Sequence, residues 1–359
     1  MEELALNDNH LTELPADIFQ GTPTLVTLRL NSNKLTQLHN EIFKGLSSLV
    51  ELTLNNNYLT HLSVGVFQGC QALITLQLNN NNLTELRNGI FQGLLSVEHL
   101  TLNDNFLTNL PTGLFQDIPT LVRLKLNNNY ITDSGLSNET FQGLFSLEEL
   151  TLNDNFLTQL PSGVFQGITN LVTLKLNSNN LTQLPNGILQ GLSSLEELTL
   201  NDNSFAHLPV YVFQSIPTLI TLKLNNNYLT NISTEIFKGL TSVRILSLSQ
   251  NQIGKVPYRL CKQMPNMKTL NLSSNTLQKL GEQLTDCEHL ESLDLRQNEL
   301  NWISNYAFYN ANKSLDVYIV CRQGVFMLFS TILSLCDSVY KPRYRNTFRY
   351  LTSTTLPRQ

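Results

Sequence analysis

A 24-residue repeat constrains this 359-residue chain more than any other feature. The stretch LEELTLNDNFLTQLPSGVFQGITN shows the unit, with leucines at repeat positions 1, 4, 6, 11 and 14 (Leu147, Leu150, Leu152, Leu157, Leu160). Asn155 stands at position 9, Pro161 at 15 and Phe165 at 19. Position 1 recurs at Met1, Leu25, Leu49, Leu73, Val97, Leu121, Leu147, Leu171, Leu195, Leu219, Val243, Met267 and Leu290, which makes thirteen repeats, with a degenerate fourteenth from Leu315. No single unit can bury its own leucines, so the units must stack and bury them together.

Within a unit, the apolar residues at positions 4 and 6 point one way while 3, 5 and 7 point the other, the alternation of a strand with one buried face. Each unit therefore supplies one short parallel strand. Asn155 sits among apolar neighbours, where an amide is costly unless its hydrogen bonds are made, so it should bond the backbone of its own and adjacent turns. Asp154, beside it, is expected to be exposed and indifferent to substitution. Pro161 and Phe165 fall on the opposite side, where an irregular segment closes the turn. Phenylalanine holds position 19 at Phe19, Phe43, Phe67, Phe91, Phe115, Phe165, Phe213, Phe237 and Phe308, and at Phe141 after an insertion. The pattern specifies an α/β solenoid, a horseshoe with a parallel sheet on its concave face and irregular or 3-10 segments on its convex face.

Charged residues make up 14% of the chain, below the roughly 25% typical of soluble proteins. Asn, Thr and Ser carry the surface instead. Residues 341–359 hold five basic residues and no acid, so residues 1–340 carry 18 basic against 28 acidic residues. That balance argues against a nucleic-acid partner. The domain reading is a solenoid over 1–314, a degenerate repeat or C-terminal cap over 315–340, and a basic, disordered tail over 341–359.

The leucine spacing, Asn at position 9 and Phe at 19 resemble the typical 24-residue leucine-rich repeats of extracellular animal proteins, as in Toll-like receptor ectodomains, Slit-type proteins and variable lymphocyte receptors. The resemblance covers residues 1–314. It implies a non-enzymatic extracellular protein, secreted or at the cell surface, that binds a protein or glycan ligand through the concave face and its rim in an innate-immune receptor-like or adhesion role. Two alternatives stay open: a structural matrix or surface-coat protein, favoured by the near-identity of neighbouring repeats, and an intracellular leucine-rich repeat scaffold.

Three features depart from that group. The sequence starts on position 1 of a repeat without a cysteine-bearing cap, so Leu4, Leu6 and Leu11 are expected to lie uncovered and to promote self-association. Near the other end, Cys321 and Cys336 flank an apolar stretch that runs uninterrupted only from Val325 to Cys336, short of the about 20 residues of a membrane span. A cap closed by a Cys321–Cys336 disulfide is favoured over a membrane anchor, although Lys341, Arg343, Arg345 and Arg349 are what a cytoplasmic flank would carry. Finally, repeat six is longer, with TDSGLSNET between Ile131 and Phe141, and should bulge at the loop leaving the concave face.

Cys70 and Cys261 stand at core positions and read as buried free thiols; a bridge from Cys261 to Cys287 on the adjacent turn stays open. Glycosylation sequons head at Asn82, Asn138, Asn180, Asn231, Asn271 and Asn312, which supports an extracellular compartment. No catalytic motif, cofactor site or metal site is legible. The recurring NDN tripeptide gives one carboxylate per turn at Asp8, Asp104, Asp154 and Asp202, a poor set for calcium, which takes about six to eight oxygens.

The outward strand positions alternate LEELTL with LVRLKL and LVTLKL, a 48-residue super-period. It places Glu149 and Glu197 diagonal to Lys125, Lys175 and Lys223, as in a self-neutralising charge ladder. Position 10 projects at the rim and reads Tyr58, Asn82, Phe106, Tyr130, Phe156, Asn180 over consecutive repeats. Three successive aromatics there serve no need of the core. The candidate ligand-binding residues are Phe106, Arg123, Lys125, Tyr130, Glu149, Phe156 and Lys175, with sequons at Asn82 and Asn180 flanking the aromatic window.

Overall fold

The computed structural model describes residues 2–312 and 314–319. Two compact units divide the chain, Met1–Leu198 and Thr199–Gln359. The first carries eight three-residue strands: β1 Glu3–Ala5, β2 Thr27–Arg29, β3 Glu51–Thr53, β4 Thr75–Gln77, β5 His99–Thr101, β6 Arg123–Lys125, β7 Glu149–Thr151 and β8 Thr173–Lys175. Each pairs in parallel with the next, and position 4 aligns in one column: Leu4, Leu28, Leu52, Leu76, Leu100, Leu124, Leu150, Leu174. The fold is the parallel-strand solenoid that the repeat specifies. Among the described residues there is no α-helix; turns and two short 3-10 segments close the side opposite the sheet.

Stacking does what one unit cannot. From the second to the twelfth turn the leucines at positions 4, 6 and 11, such as Leu28, Leu30 and Leu35, are buried, each worth about 1.5–3 kcal/mol of transfer free energy. Leu4, Leu6 and Leu11 of the first turn are half-buried. On the opposite side Phe19, Phe43 and Phe67 stack at 6.3 and 6.0 Å between centroids, and Phe115, Phe141 and Phe165 at 6.1 and 6.4 Å. The position-19 phenylalanines therefore fill the turn as a spine.

The asparagine ladder bonds as its burial requires. Asn155 Nδ2 donates to the carbonyls of Leu126 and Leu152, both at 3.1 Å, and of Asn153 at 3.2 Å, while its Oδ1 accepts the Ile131 N–H at 3.0 Å. Asn57, Asn81, Asn105, Asn129 and Asn179 repeat these cross-turn bonds.

The insertion in repeat six is ordered by the chain on both sides of it. Asp133–Gly135 forms a 3-10 turn, and a Cβ on Gly135 would lie 2.4 Å from the Thr108 carbonyl oxygen, so only glycine permits this approach. Asp133 ties the turn to the next repeat by accepting the Thr158 and Gln159 N–H groups at 2.7 and 3.0 Å and the Thr158 hydroxyl. Burial pushes its carboxyl upward, and the hydrogen bonds from Thr158 and Gln159 outweigh that and hold it below its ordinary value.

Strand β9, Glu197–Thr199, falls where the two units divide. The second unit continues with β10 Thr221–Lys223, β11 Ile245–Ser247, β12 Thr269–Asn271, β13 Lys279–Leu280, β14 Ser292–Asp294, β15 Trp302–Ile303 and β16 Asp316–Tyr318. Strands β10, β11, β12, β14 and β16 pair in parallel, and β13 pairs separately with β15. A disulfide joins Cys261 to Cys287, with Cα atoms 5.0 Å apart. Cys261 is thus bridged rather than free, its partner lying 26 residues on, in the adjacent turn. Cys70 is a free, buried thiol whose pKa burial pushes up to about 12. Phe308 is only half-buried, and Ala307 takes the fully buried place beside it. The Cys321–Cys336 pairing and the basic stretch 341–359 lie outside the described residues. Among the described residues no helix is long and apolar enough to cross a membrane.

Candidate functional site

The rim column is built by its buried neighbours. Positions 9 and 11 point inward, so the residue between them must point out. The backbone N–H at position 10 donates to the position-11 carbonyl of the preceding turn: Phe106 to Leu83 at 2.8 Å, Tyr130 to Leu107 at 2.9 Å and Phe156 to Ile131 at 3.0 Å. One ring per turn follows. Phe106 and Tyr130 stack at 5.6 Å between centroids and Tyr130 and Phe156 at 5.4 Å, both 18° from parallel. The three remain 44%, 46% and 50% exposed. Tyr130 has both faces covered, while Phe106 and Phe156 each have one face covered.

Beside the rings runs a recess floored by amides and carboxylates, among them Asn56, Asn80, Asp104, Asn128, Asp154 and Ser178. These six occupy position 8, and each adopts a left-handed backbone with φ between 53° and 56°. Asn, Asp and Ser suit that conformation because a short polar side chain tolerates it better than a bulky one. The NDN tripeptide is thus a backbone device as much as a polar edge. Its carboxylates are held by amides: Asn128 Nδ2 donates to Asp104 Oδ1 at 2.5 Å, Asn153 Nδ2 to Asp154 Oδ2 at 2.6 Å, and Asn103 Nδ2 to Asp104 Oδ2. Asn80 Nδ2 likewise donates to Asn56 Oδ1 at 2.6 Å.

Arg123, Lys125, Glu149 and Lys175 do not line this recess; they lie on the outward face of β6, β7 and β8. At Glu149 the expected diagonal pairing is corrected. Glu149 pairs with Arg123, its partner directly opposite, at 3.6 Å from Nε to Oε2, and not with the lysines on the diagonal. A position directly opposite is closer than a diagonal one, so the arginine takes the carboxylate. Lys125 and Lys175 flank Thr151 in register and have no ion-pair partner among the described residues. The Thr151 hydroxyl is buried and donates to Asn127 Oδ1 at 3.0 Å.

Of the sequon asparagines, Asn138, Asn180 and Asn231 are exposed, while Asn82, Asn271 and Asn312 are half-buried. Asn138 Oδ1 accepts the Gly163 N–H at 2.9 Å. Asn271 and Asn312 accept from Ser273 and Ser314, the third residues of their own sequons. A second apolar exposure escapes the sequence reading: Leu95, Pro119 and Phe145 stand at the same register on three successive turns, all exposed. Reading repeat position 23 down the chain, as was done for position 10, would have found it.

A stack of parallel-strand turns with an open, ring-edged and amide-floored rim defines a repeat scaffold for binding. A family profile described as Leucine rich repeat matches residues 1–59, 47–107, 95–155, 145–205, 194–253 and 245–300. The chain belongs to the leucine-rich repeat family. Among solved structures it resembles a leucine-rich repeat protein of Leptospira interrogans, with 30% identity, a TM-score of 0.75, and coverage of 89% of this chain and 84% of that one. It is also similar in fold to the leucine-rich repeat domain of APL1B, at 23% identity and TM-score 0.70 over 90% of both chains. Toll in the Drosophila Toll–Spatzle complex shows 23% identity and TM-score 0.70 over 86% of this chain, which spans 44% of that one. A search of curated proteins gives no match.

Proposed function

We propose that this protein is a non-enzymatic extracellular recognition protein that binds a protein or glycan ligand through the outward strand face and its rim, in an innate-immune receptor-like or adhesion role. The observation that carries this reading is the exposed stack Phe106–Tyr130–Phe156. The core is complete without it, and clustered aromatics beside charged groups have the composition of a binding hot spot. Arg123, Lys125, Glu149 and Lys175 supply that charge on the adjacent strands, where Lys125 and Lys175 offer free ammonium groups to an acidic partner. Toll, solved with the protein Spatzle, is a precedent for protein binding on this fold.

The test is capture from a panel of secreted proteins and glycans by the immobilised chain. Tyr130→Ala and Phe156→Ala, shown to be folded, should abolish capture, while Tyr228→Ala leaves it within a few-fold. A second reading, a structural matrix or coat protein, is favoured by the near-identical ladders at positions 8 and 9. It predicts that the panel yields no discrete partner.

A further inference from the structure

We infer that Asn82 and Asn180 carry N-linked glycans whose first sugar rings close the two ends of the aromatic column, stacking on the outer faces of Phe106 and Phe156. The inference rests on the extracellular reading above.

The geometry supplies both ends of the argument. Because the three rings stack along the column, the uncovered face of Phe106 looks toward the preceding position-10 residue and that of Phe156 toward the following one. Those residues are Asn82 and Asn180. Phe106 N–H bonds the carbonyl of Leu83, next to Asn82, at 2.8 Å, and Asn180 N–H bonds the carbonyl of Leu157, next to Phe156, at 2.8 Å. Each asparagine is therefore one turn from its ring. Neither side-chain amide makes a hydrogen bond among the described residues, whereas Asn138, Asn271 and Asn312 have theirs engaged. Asn231 is exposed but stands at position 13, off the column.

Sugar chemistry fits these ends. A β-linked N-acetylglucosamine ring begins one bond beyond Nδ2, level with the outer half of the rings of neighbouring turns. Its face of axial C–H groups is apolar with slightly positive hydrogens, which suits the negative face of an aromatic ring. At Asn82 there is a ring on the other side as well, since Asn82 N–H bonds the carbonyl of Leu59, next to the exposed Tyr58. Tyr58 and Phe106 are two turns apart, about 10 Å, room for one sugar between two rings. In the transfer step the Asn82 or Asn180 amide nitrogen attacks C1 of a lipid diphosphate-linked oligosaccharide. The C1–N bond forms, the C1–O bond breaks with its electron pair leaving on the diphosphate, and the amide nitrogen gives up one proton.

The consequence is a window with closed ends, open to a partner only along its ring edges. The experiment uses the full chain secreted behind a signal peptide from eukaryotic cells, with site occupancy read by peptide mass spectrometry. Thr84→Ala and Thr182→Ala remove the two sequons without touching the asparagines. With Phe106 in place, Thr84→Ala should lower the melting midpoint by about 2 °C; in the Phe106→Ala background, where only Tyr58 remains against the sugar, the drop should be clearly smaller. Thr182→Ala should lower the midpoint likewise with Phe156 in place and lose that drop in the Phe156→Ala background. Phe106→Leu, which keeps apolar bulk and loses the ring face, repeats the comparison if the alanine variant is not secreted. In unglycosylated bacterial protein Thr84→Ala should be silent, and Thr182→Ala should show only the loss of its exposed 3.4 Å hydrogen bond to the Thr158 carbonyl oxygen, equal with and without Phe156. Occupied sites with equal midpoint drops in both backgrounds would overturn the stacking. Absence of glycan at Asn82 and Asn180 would overturn this inference and is recognisable by mass alone, whereas the extracellular reading is tested separately by the capture experiment above.

Discussion

Asn155 and Ile131, on neighbouring turns, are joined by a 3.0 Å hydrogen bond from the Ile131 N–H to Asn155 Oδ1. The same side chain feeds the carbonyls of Leu126, Leu152 and Asn153. Asn155→Ala leaves these buried groups unmet, at about 1–3 kcal/mol. Urea midpoints that match the parent would show that the ladder adds nothing to stability.

Asp154 sits next to that ladder and is exposed, yet it is not indifferent to substitution. Its φ of 55° sets the rule. Asp154→Gly should be nearly neutral, because glycine takes this conformation freely, while Asp154→Val should cost about 1–2 kcal/mol. Equal midpoints for the two variants would mean that the left-handed turn relaxes.

Much of this was legible in advance, for reasons that particular residues make plain. A repeat writes its own alignment, so the strand register at Leu150, the buried amide of Asn155 and the outward column at Tyr130 all followed from position alone. What escaped was whatever depends on backbone torsion or on breaks in the period. The left-handed turn at Asp154 looks like any polar residue in sequence, and the packing of Gly135 against Thr108 depends on the 3-10 turn that the insertion of repeat six forms. The choice of Arg123 over the lysines by Glu149 is a side-chain distance that register brackets but does not decide. At the rim, the three rings are legible in the sequence, and the recess that the position-8 residues floor is not, because it depends on their left-handed backbone.

Asp133 makes the inserted turn sensitive to acid. Its folded pKa lies below the unfolded value, so the stability it contributes is present above the unfolded pKa and is lost as pH falls through the folded one. Between neutral pH and about pH 3 the parent should lose its advantage over Asp133→Ala. A stability gap between the two that stays constant over that range would rule out this carboxylate as the tie to Thr158.

The cysteines should separate in their chemistry. Cys70, buried and with its thiol pKa near 12, should resist alkylation in the folded protein and react only on unfolding. Reducing the Cys261–Cys287 bridge, whose separation is 26 residues, should cost about 3.5 kcal/mol on the loop-entropy account. Peptide mapping after alkylation, with and without reductant, reads both. Labelling of Cys70 under native conditions would contradict its burial.

The rim rings allow a sharper separation of structure from function. Tyr130 is stacked on both sides, Phe106 and Phe156 on one side each. Aromatic pairs contribute about 0.5–1.5 kcal/mol beyond area burial, so Tyr130→Ala should cost about twice what Phe106→Ala does, and Tyr228→Ala, which breaks no ring stack, much less. None of these losses threatens folding, since positions 4, 6 and 11 hold the core. Capture of a ligand should follow a different order. If the rings act together as an edge-on anchor, removing any one of the three collapses binding, because each carries a third of one contiguous surface. A binding loss that merely tracks the stability loss, largest for Tyr130 and half as large for the outer two, would make the column a structural ornament of the turn. Equal stability losses for Tyr130→Ala and Phe106→Ala would instead show that the stack does not persist in solution.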